Sequence, residues 1–243
     1  MLKPNEANNY LLALLKDKQG FFRSSALNPV TLERGQRLYH PNTTPKHCLF
    51  IETGLASVIV TSPEGHKAEA GVVGREGMVP VSAFTTDGGT PMEVTMQVGG
   101  SGFKIEFAHF REAFEGSAEV REIFLRYAHA FLVQSAFTAL SNANHRVEER
   151  LARWLLICHD RVDGDELPLT HEFLAIMLAV RRPSVTIALH VLEGHRFIRA
   201  ERNLITVRDR AGLELFANDA YGPSEREYER LLKPLSKTAI RAA

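Results

Sequence analysis

Arg181, Arg182, Ser184, Thr186, Ile187 and His190 lie within one short stretch and share a chemistry. A guanidinium can fork onto guanine O6 and N7 or onto phosphate, small hydroxyls reach phosphate, and an isoleucine packs on a thymine methyl. That set reads duplex DNA; it does not make or break bonds. These residues remain on the outer face of a helix once Val185, Ala188, Leu189 and Leu192, apolar at helical spacing, are assigned to its core. A shorter apolar set, Leu174, Met177 and Leu178, marks a preceding helix, with Thr170 placed to N-cap it. Pro183 suits the first position of the second helix, where its missing N–H costs nothing. Only Ala179-Val180-Arg181-Arg182 separates the two. Helices joined so tightly must cross steeply, with Ala175 small enough to let them approach. The spacing predicts a helix-turn-helix whose second helix enters a major groove.

The next residues extend that unit. Phe197-Ile198-Arg199 and Leu204-Ile205-Thr206-Val207 are β-rich runs around Ala200-Glu201-Arg202-Asn203, which predicts a hairpin, the wing of a winged helix. Arg199 and Arg202 would then meet phosphates, as would Arg181. Between Leu167 and Arg210 stand seven arginines, no lysine and four carboxylates. The whole chain balances 29 basic against 29 acidic residues, so positive charge is concentrated where the motif sits.

Enzymatic signatures are missing: no GxSxG elbow, HExxH, Walker loop or dinucleotide-binding glycine motif occurs. His171-Glu172 and His159-Asp160 are adjacent pairs on helices, expected to point different ways and to make poor acid–base dyads. Cys48 and Cys158 are far apart without metal-site spacing, so neither a disulfide framework nor a cysteine-rich metal site is expected. His40, His47 and His66 read as surface or loop residues. No cofactor and no metal are expected, and the chain reads as a cytoplasmic protein with no membrane partner; residues 8–15 form an amphipathic helix too short to span a bilayer.

The first half has a different period. Val30–Leu32, Arg37–Tyr39, Cys48–Ile51, Leu55–Val60, Lys67–Val73, Met92–Val98 and Phe103–Phe107 are short apolar runs between turns, including turns at Thr53-Gly54 and Gly99-Gly100-Ser101-Gly102. This cadence predicts a barrel, sandwich or jelly roll and not a parallel sheet. Ala118–Ser141 then reads as one helix about 36 Å long at 1.5 Å per residue. Ile123, Tyr127, Ala130, Gln134, Phe137 and Ser141 recur at coiled-coil spacing and are expected to form a seam with a second copy. Asn142-Ala143-Asn144 marks a boundary, Val147–Val162 a further amphipathic helix, and Ser224–Leu232 a short exposed one.

Leu32–Tyr39, Leu49-Phe50-Ile51-Glu52-Thr53-Gly54, Glu64-Gly65-His66, Val147–Ala152, Leu169-Thr170, Leu174-Ala175 and Arg182–Glu193, in that order, resemble the Crp/Fnr family of bacterial transcription regulators over roughly residues 22–215. The resemblance implies an α+β chain. It would comprise a cyclic-nucleotide-binding-like β-roll of the double-stranded jelly-roll type (22–117), a dimerisation helix (118–142), a winged helix-turn-helix (144–215) and a tail (216–243). It further implies a homodimer on a two-fold symmetric operator in double-stranded DNA, with RNA polymerase as a further partner. The alternative is a ligand-sensing or protein-interaction module whose winged helix contacts protein.

Two departures qualify the resemblance. Nucleotide-binding members carry a Gly-Glu near the cyclic phosphate and an arginine a little further on. Here Gly74-Arg75-Glu76-Gly77-Met78-Val79-Pro80 is followed by Thr90-Pro91-Met92-Glu93, so the arginine is missing and Glu93 would repel an anion, although Arg75 offers charge from another direction. Iron–sulfur sensors need N-terminal cysteines, and none precedes Cys48. The effector is therefore not cyclic AMP and is otherwise unassigned. In the recognition helix, an Arg-Glu-Arg readout is matched only by Arg182; Pro183 and Ile187 replace the rest, which implies a more thymine-rich half-site.

Overall fold

Fourteen- and fifteen-residue strands dominate the N-terminal half, and β-branched and aromatic residues on both faces explain their length. The structure, a computed structural model, describes residues 8–15, 27–84 and 89–232. A short helix α1 (Tyr10–Leu15) precedes β1 (Asn28–Leu32), β2 (Arg37–Tyr39), β3 (His47–Thr61), β4 (Lys67–Val73), β5 (Met78–Val79) and β6 (Glu93–Glu106). Then come α2 (Phe107–Gly116), α3 (Ala118–Asn144) and α4 (Val147–Arg161). The sheet runs β1-β6-β3-β4, all antiparallel, with β2 on β6 and β5 on β3. Leu32, Tyr39, Leu49, Ile51, Val58, Val79 and Met96 fill its interior.

Two expected turns lie inside strands instead. Thr53-Gly54 belongs to β3, at a stretch of register shifts against β6, and Gly99-Gly100-Ser101-Gly102 belongs to β6. The glycines serve close backbone approach: a Cβ on Gly100 would lie 2.0 Å from the Thr53 carbonyl oxygen. The amphipathic α1 forms as expected, burying Leu11, Leu12 and Leu15, and Asn9 ties it to the roll through Ile51 O and Gly77 O, both at 2.8 Å.

Helix α3 begins at the N-cap Ser117, whose hydroxyl accepts from Val120 N, and continues through the boundary expected at Asn142. Its rotation corrects the expected seam. Tyr127, Ala130, Gln134 and Ser141 are buried within their own chain, and Ile123 and Phe137 are half-buried. Tyr127 donates to Met78 O at 3.0 Å, and Gln134 Oε1 accepts from Val72 N at 2.7 Å. Gly77 makes this possible, because a Cβ there would fall 2.3 Å from the Tyr127 hydroxyl. A stripe that includes polar groups thus grips the roll. Among the residues left outside are Leu125, His129, Leu132, Ala136, Ala139 and Leu140, with Leu132 64% exposed. By length and composition α3 alone among the described helices passes as a membrane span. Its inward hydrogen bonds and its outer Glu122–Arg126 pair at 2.9 Å suit packing on protein.

The roll and the C-terminal third meet through buried charge. Glu69 of β4 accepts from Trp154 Nε1 of α4 at 2.7 Å and from Ser57 Oγ at 2.5 Å. Arg161, the last residue of α4 and 2% exposed, donates its Nε–H to Glu76 at 2.7 Å. Arg75 pairs with Asp163 at 2.9 Å, so it is engaged at this junction. Burial pushes the Glu69 carboxyl up to about 7, against the hydrogen bonds from Ser57 and Trp154.

The sign of the pH effect follows. An unfolded chain ionises Glu69 near its ordinary 4.5 while the folded chain holds the proton to about 7, so stability falls as pH rises through that window. Glu69→Gln, which keeps the shape and one acceptor oxygen for Trp154 Nε1 and offers Ser57 Oγ an amide N–H to accept, should melt above wild type at pH 8, by roughly 1–3 kcal/mol. The gap should shrink toward pH 5 in thermal unfolding; a gap independent of pH would contradict the assignment.

Candidate nucleic-acid interface

Helix α4 is the platform of the C-terminal third. Around it stand β7 (Glu166–Leu167), α5 (His171–Met177), α6 (Arg182–Gly194), the hairpin β8 (Ile198–Glu201) and β9 (Leu204–Val207), and α7 (Arg210–Ala217); the final helix α8 (Pro223–Leu231) turns back onto α3. Leu151, Leu155, Leu174, Val185, Leu189 and Leu192 meet in one apolar core, the positions that helical spacing predicts. Thr170 caps α5, accepting from Phe173 N at 3.1 Å.

The α5 and α6 axes differ by 101°, the steep crossing of a helix-turn-helix. The turn depends on Ala179, whose φ of 48° lies in the left-handed region, and Val180 N then donates to Ala175 O at 3.0 Å. Arg150 Nη2 donates to Leu178 O and holds the turn on α4. Arg181 is the N-cap of α6 and Arg182 its first residue, which moves Pro183 to the second position, one later than expected.

Arg181, Arg182 and His190 are exposed on the outer face, and Ile187 is 60% exposed despite being apolar. Ser184 and Thr186 are half-buried. Thr186 is also occupied locally, donating to Arg182 O at 3.3 Å with His171 Nδ1 equally distant. The wing turn is tighter than expected, with only Arg202 and Asn203 between the strands. Asn203 takes the positive φ (62°), and Arg202 is left exposed at the tip. Arg199 is exposed but paired with Glu201 at 2.7 Å, which reduces its charge for a phosphate. Glu193 Oε1 accepts from Ala200 N at 2.8 Å and fixes the wing on the end of α6.

A cleft of about 520 Å³ separates the recognition helix from the wing, and Thr170, His171, Arg182, His190 and Arg202 line it. His171 is a site residue that the sequence reading misses; its place in the first turn of α5, one residue after the cap, is the signal that could have found it. Two other expectations change. His159 and Asp160 do not diverge: Arg210 reaches His159 Nδ1 at 2.8 Å and Asp160 at 2.7 Å, and Tyr221 donates to Asp160 at 2.8 Å. This is a strut from α4 to α7; burial pushes Asp160 up to about 6 while Arg210 opposes the shift. Helix α8 is not an exposed tail, since Ser224, Glu225 and Tyr228 are buried and Tyr228 donates to Glu76 O at 2.6 Å.

The effector position implied by the resemblance is closely packed. Where the loop Gly74–Gly77, α3 and α8 meet, Val72, Glu76, Tyr127, Gln134, Arg161 and Tyr228 surround a cavity of about 10 Å³, about one water's worth. Among the described residues, no group of three or more metal-ligating side chains converges.

Comparison with known proteins agrees with this geometry. Residues 149–216 match the Crp-like helix-turn-helix domain. A protein of Eubacterium rectale assigned to the Crp/Fnr transcriptional regulators superposes with a TM-score of 0.64 at 18% identity, over 88% of this chain and 96% of that one. FixK2 from Bradyrhizobium japonicum gives 0.65 at 14% identity, over 77% and 95% of the two chains. TTHB099, a CRP-family transcriptional regulator from Thermus thermophilus, gives 0.64 at 18%, over 77% and 96%. No curated relative matches by sequence. The chain is thus of Crp/Fnr type in its fold and carries the Crp-like helix-turn-helix domain.

Ala179→Gly tests the turn that orients the recognition helix. Left-handed backbone costs a non-glycine residue roughly 1–2 kcal/mol, partly offset by the entropy glycine gains when unfolded. The variant should melt at or slightly above wild type, by up to about 1 kcal/mol. A clear drop in melting temperature would mean that the turn is built otherwise.

Proposed function

We propose that this chain is a sequence-specific DNA-binding transcription regulator that acts as a homodimer on a two-fold symmetric operator. One observation carries the reading: α6 stands across α5 at 101° with Arg181, Arg182, Ile187 and His190 turned outward beside the Arg202 wing tip. An exposed isoleucine among basic side chains is poorly explained as a solvated face and suits a thymine methyl flanked by base edge and phosphate. Arg182 carries the main base contact; Arg181, Arg199 and Arg202 serve phosphates, with Arg199 weakened by Glu201. Ser184, Thr186 and His190 complete the face, Thr186 chiefly by holding His171.

The homodimer reading rests on the corrected face of α3. Leu125, His129, Leu132, Ala136 and Ala139 follow one another at 4-3-4-3 spacing on the side the roll leaves uncovered. That is the spacing of a two-stranded seam, and a symmetric pairing would set the two recognition helices about 34 Å apart, one turn of DNA. A cyclic nucleotide is disfavoured as effector by the absent arginine and by the small cavity beside Tyr127. A change in packing along α3 would alter the helix separation and so transmit a signal. The chemistry is binding and not catalysis, RNA polymerase is the further partner, and the cytoplasm is the matching compartment.

Two measurements test this. Duplexes selected from genomic fragments should bind with affinity that falls steeply with salt, at a log–log slope near −0.9 per neutralised phosphate. On such a duplex Arg182→Ala should cost about 1–3 kcal/mol and relax preference at one base pair. Unchanged affinity and preference would refute the assignment, and salt-insensitive capture of protein in place of DNA would favour the interaction-module alternative. Leu132→Glu should halve the sedimenting mass in analytical ultracentrifugation; a mass unaffected by the charge would remove the proposed seam.

A further inference from the structure

One end of the β-roll carries a feature that DNA binding does not use. A cleft of about 420 Å³ opens between β1, β2 and the segment leading into β3, within the roughly 300–1,000 Å³ usual for small-molecule sites. Leu32, Tyr39 and Leu49 form its floor and belong to the apolar interior of the roll. Arg37, Lys46 and Lys104 stand around it, and no aspartate or glutamate lines it.

Lys104 is the informative residue. It lies opposite Leu49 in the β3–β6 ladder. Cross-strand partners share a face, so this lysine is on the face that carries the apolar interior further along. It is half-buried, and neither it nor the exposed Lys46 has an ion-pair partner among the described residues. The other basic side chains are partly engaged: Arg37 Nε is 3.4 Å from Glu93, and the His47 ring, also at the cleft, is 2.9 Å from Glu106. A cation set against an apolar wall loses hydration that only an anion restores in place.

We propose that the roll mouth binds a small organic anion with an apolar body. Its charged group would meet Lys104 and Lys46, and its hydrocarbon would cover Leu32, Tyr39 and Leu49. Neither the loop Gly74–Pro80 nor α3 lines the cleft, so the site is separate from the position implied for a cyclic nucleotide. A route inward exists. Tyr39 donates to His47 O at 2.8 Å and sits 3.2 Å from Val79 O, while Tyr127 of α3 donates to the adjacent Met78 O. The floor of the cleft and the long helix therefore hold neighbouring carbonyls of one short strand.

Titration calorimetry of the full chain with octanoate, and with octanol as the uncharged counterpart, tests the site without using DNA, so its outcome is independent of the DNA-binding reading. One octanoate per chain should bind saturably, and octanol at least about tenfold more weakly, the worth of one charge-assisted contact. Lys104→Gln should weaken octanoate about tenfold and leave octanol unchanged, Lys46→Gln should weaken it less, and Lys104→Arg should retain it. Absence of saturable octanoate binding, equal binding of acid and alcohol, or indifference to Lys104→Gln in a chain that still melts cooperatively would overturn the proposal.

Discussion

The grip of Tyr127 and Gln134 on the roll sets the rotation of the long helix, and the rest of the molecule follows from that angle. Both side chains are buried, and each spends its polar group on a backbone partner of the roll, Met78 O and Val72 N. A buried hydroxyl or amide without a partner costs about 1–3 kcal/mol, so rotating α3 away would leave several groups unsatisfied at once. With the inward face fixed, Leu125, Leu132 and Leu140 have no place but outside. The proposed pairing with a second copy rests on this exposed leucine stripe.

The second constraint is the charged junction that seats the helix-turn-helix third on the roll. Arg161 ends α4 with its guanidinium on Glu76, which belongs to the same loop that Tyr127 and Tyr228 hold. Removing one member of such a pair leaves a buried charge, so the contact acts more as a key for one arrangement than as a source of stability. Glu69, hydrogen-bonded by the neutral Ser57 and Trp154, ties β4 to the middle of α4 without an ion pair. The recognition helix is thus oriented in two stages: by the Ala179 turn within its own domain, and by these carboxylates relative to α3.

Local periodicity made the helix-turn-helix legible. Val185, Leu189 and Leu192 could face only inward, Thr170 could only cap, and what remained on α6 was the arginine-bearing face. The wing was legible for the same reason, since a two-strand pattern with Asn203 at its turn has few alternatives. Long-range choices were hidden. Tyr127, Gln134 and Ser141 recur at seam spacing, but spacing cannot say which of two apolar stripes meets the same chain, because that depends on Gly77, far earlier in the sequence, leaving room. The glycines at 99, 100 and 102 read as a turn because glycine marks turns and close backbone approach alike. Glu69, Glu76 and Arg161 gave no local signal, since buried charges on distant elements resemble surface charges until the fold is known. Tyr228 was hidden likewise within a run of charged residues.

The proposed homodimer presents two copies of α6 to one duplex. Methylation protection of guanine N7 on a selected operator reads major-groove occupancy directly. Two protected patches should appear on the same face, about one helical turn apart, with two chains per duplex at saturation. A single patch at one chain per duplex, or unprotected guanines under conditions where the protein is bound, would contradict it.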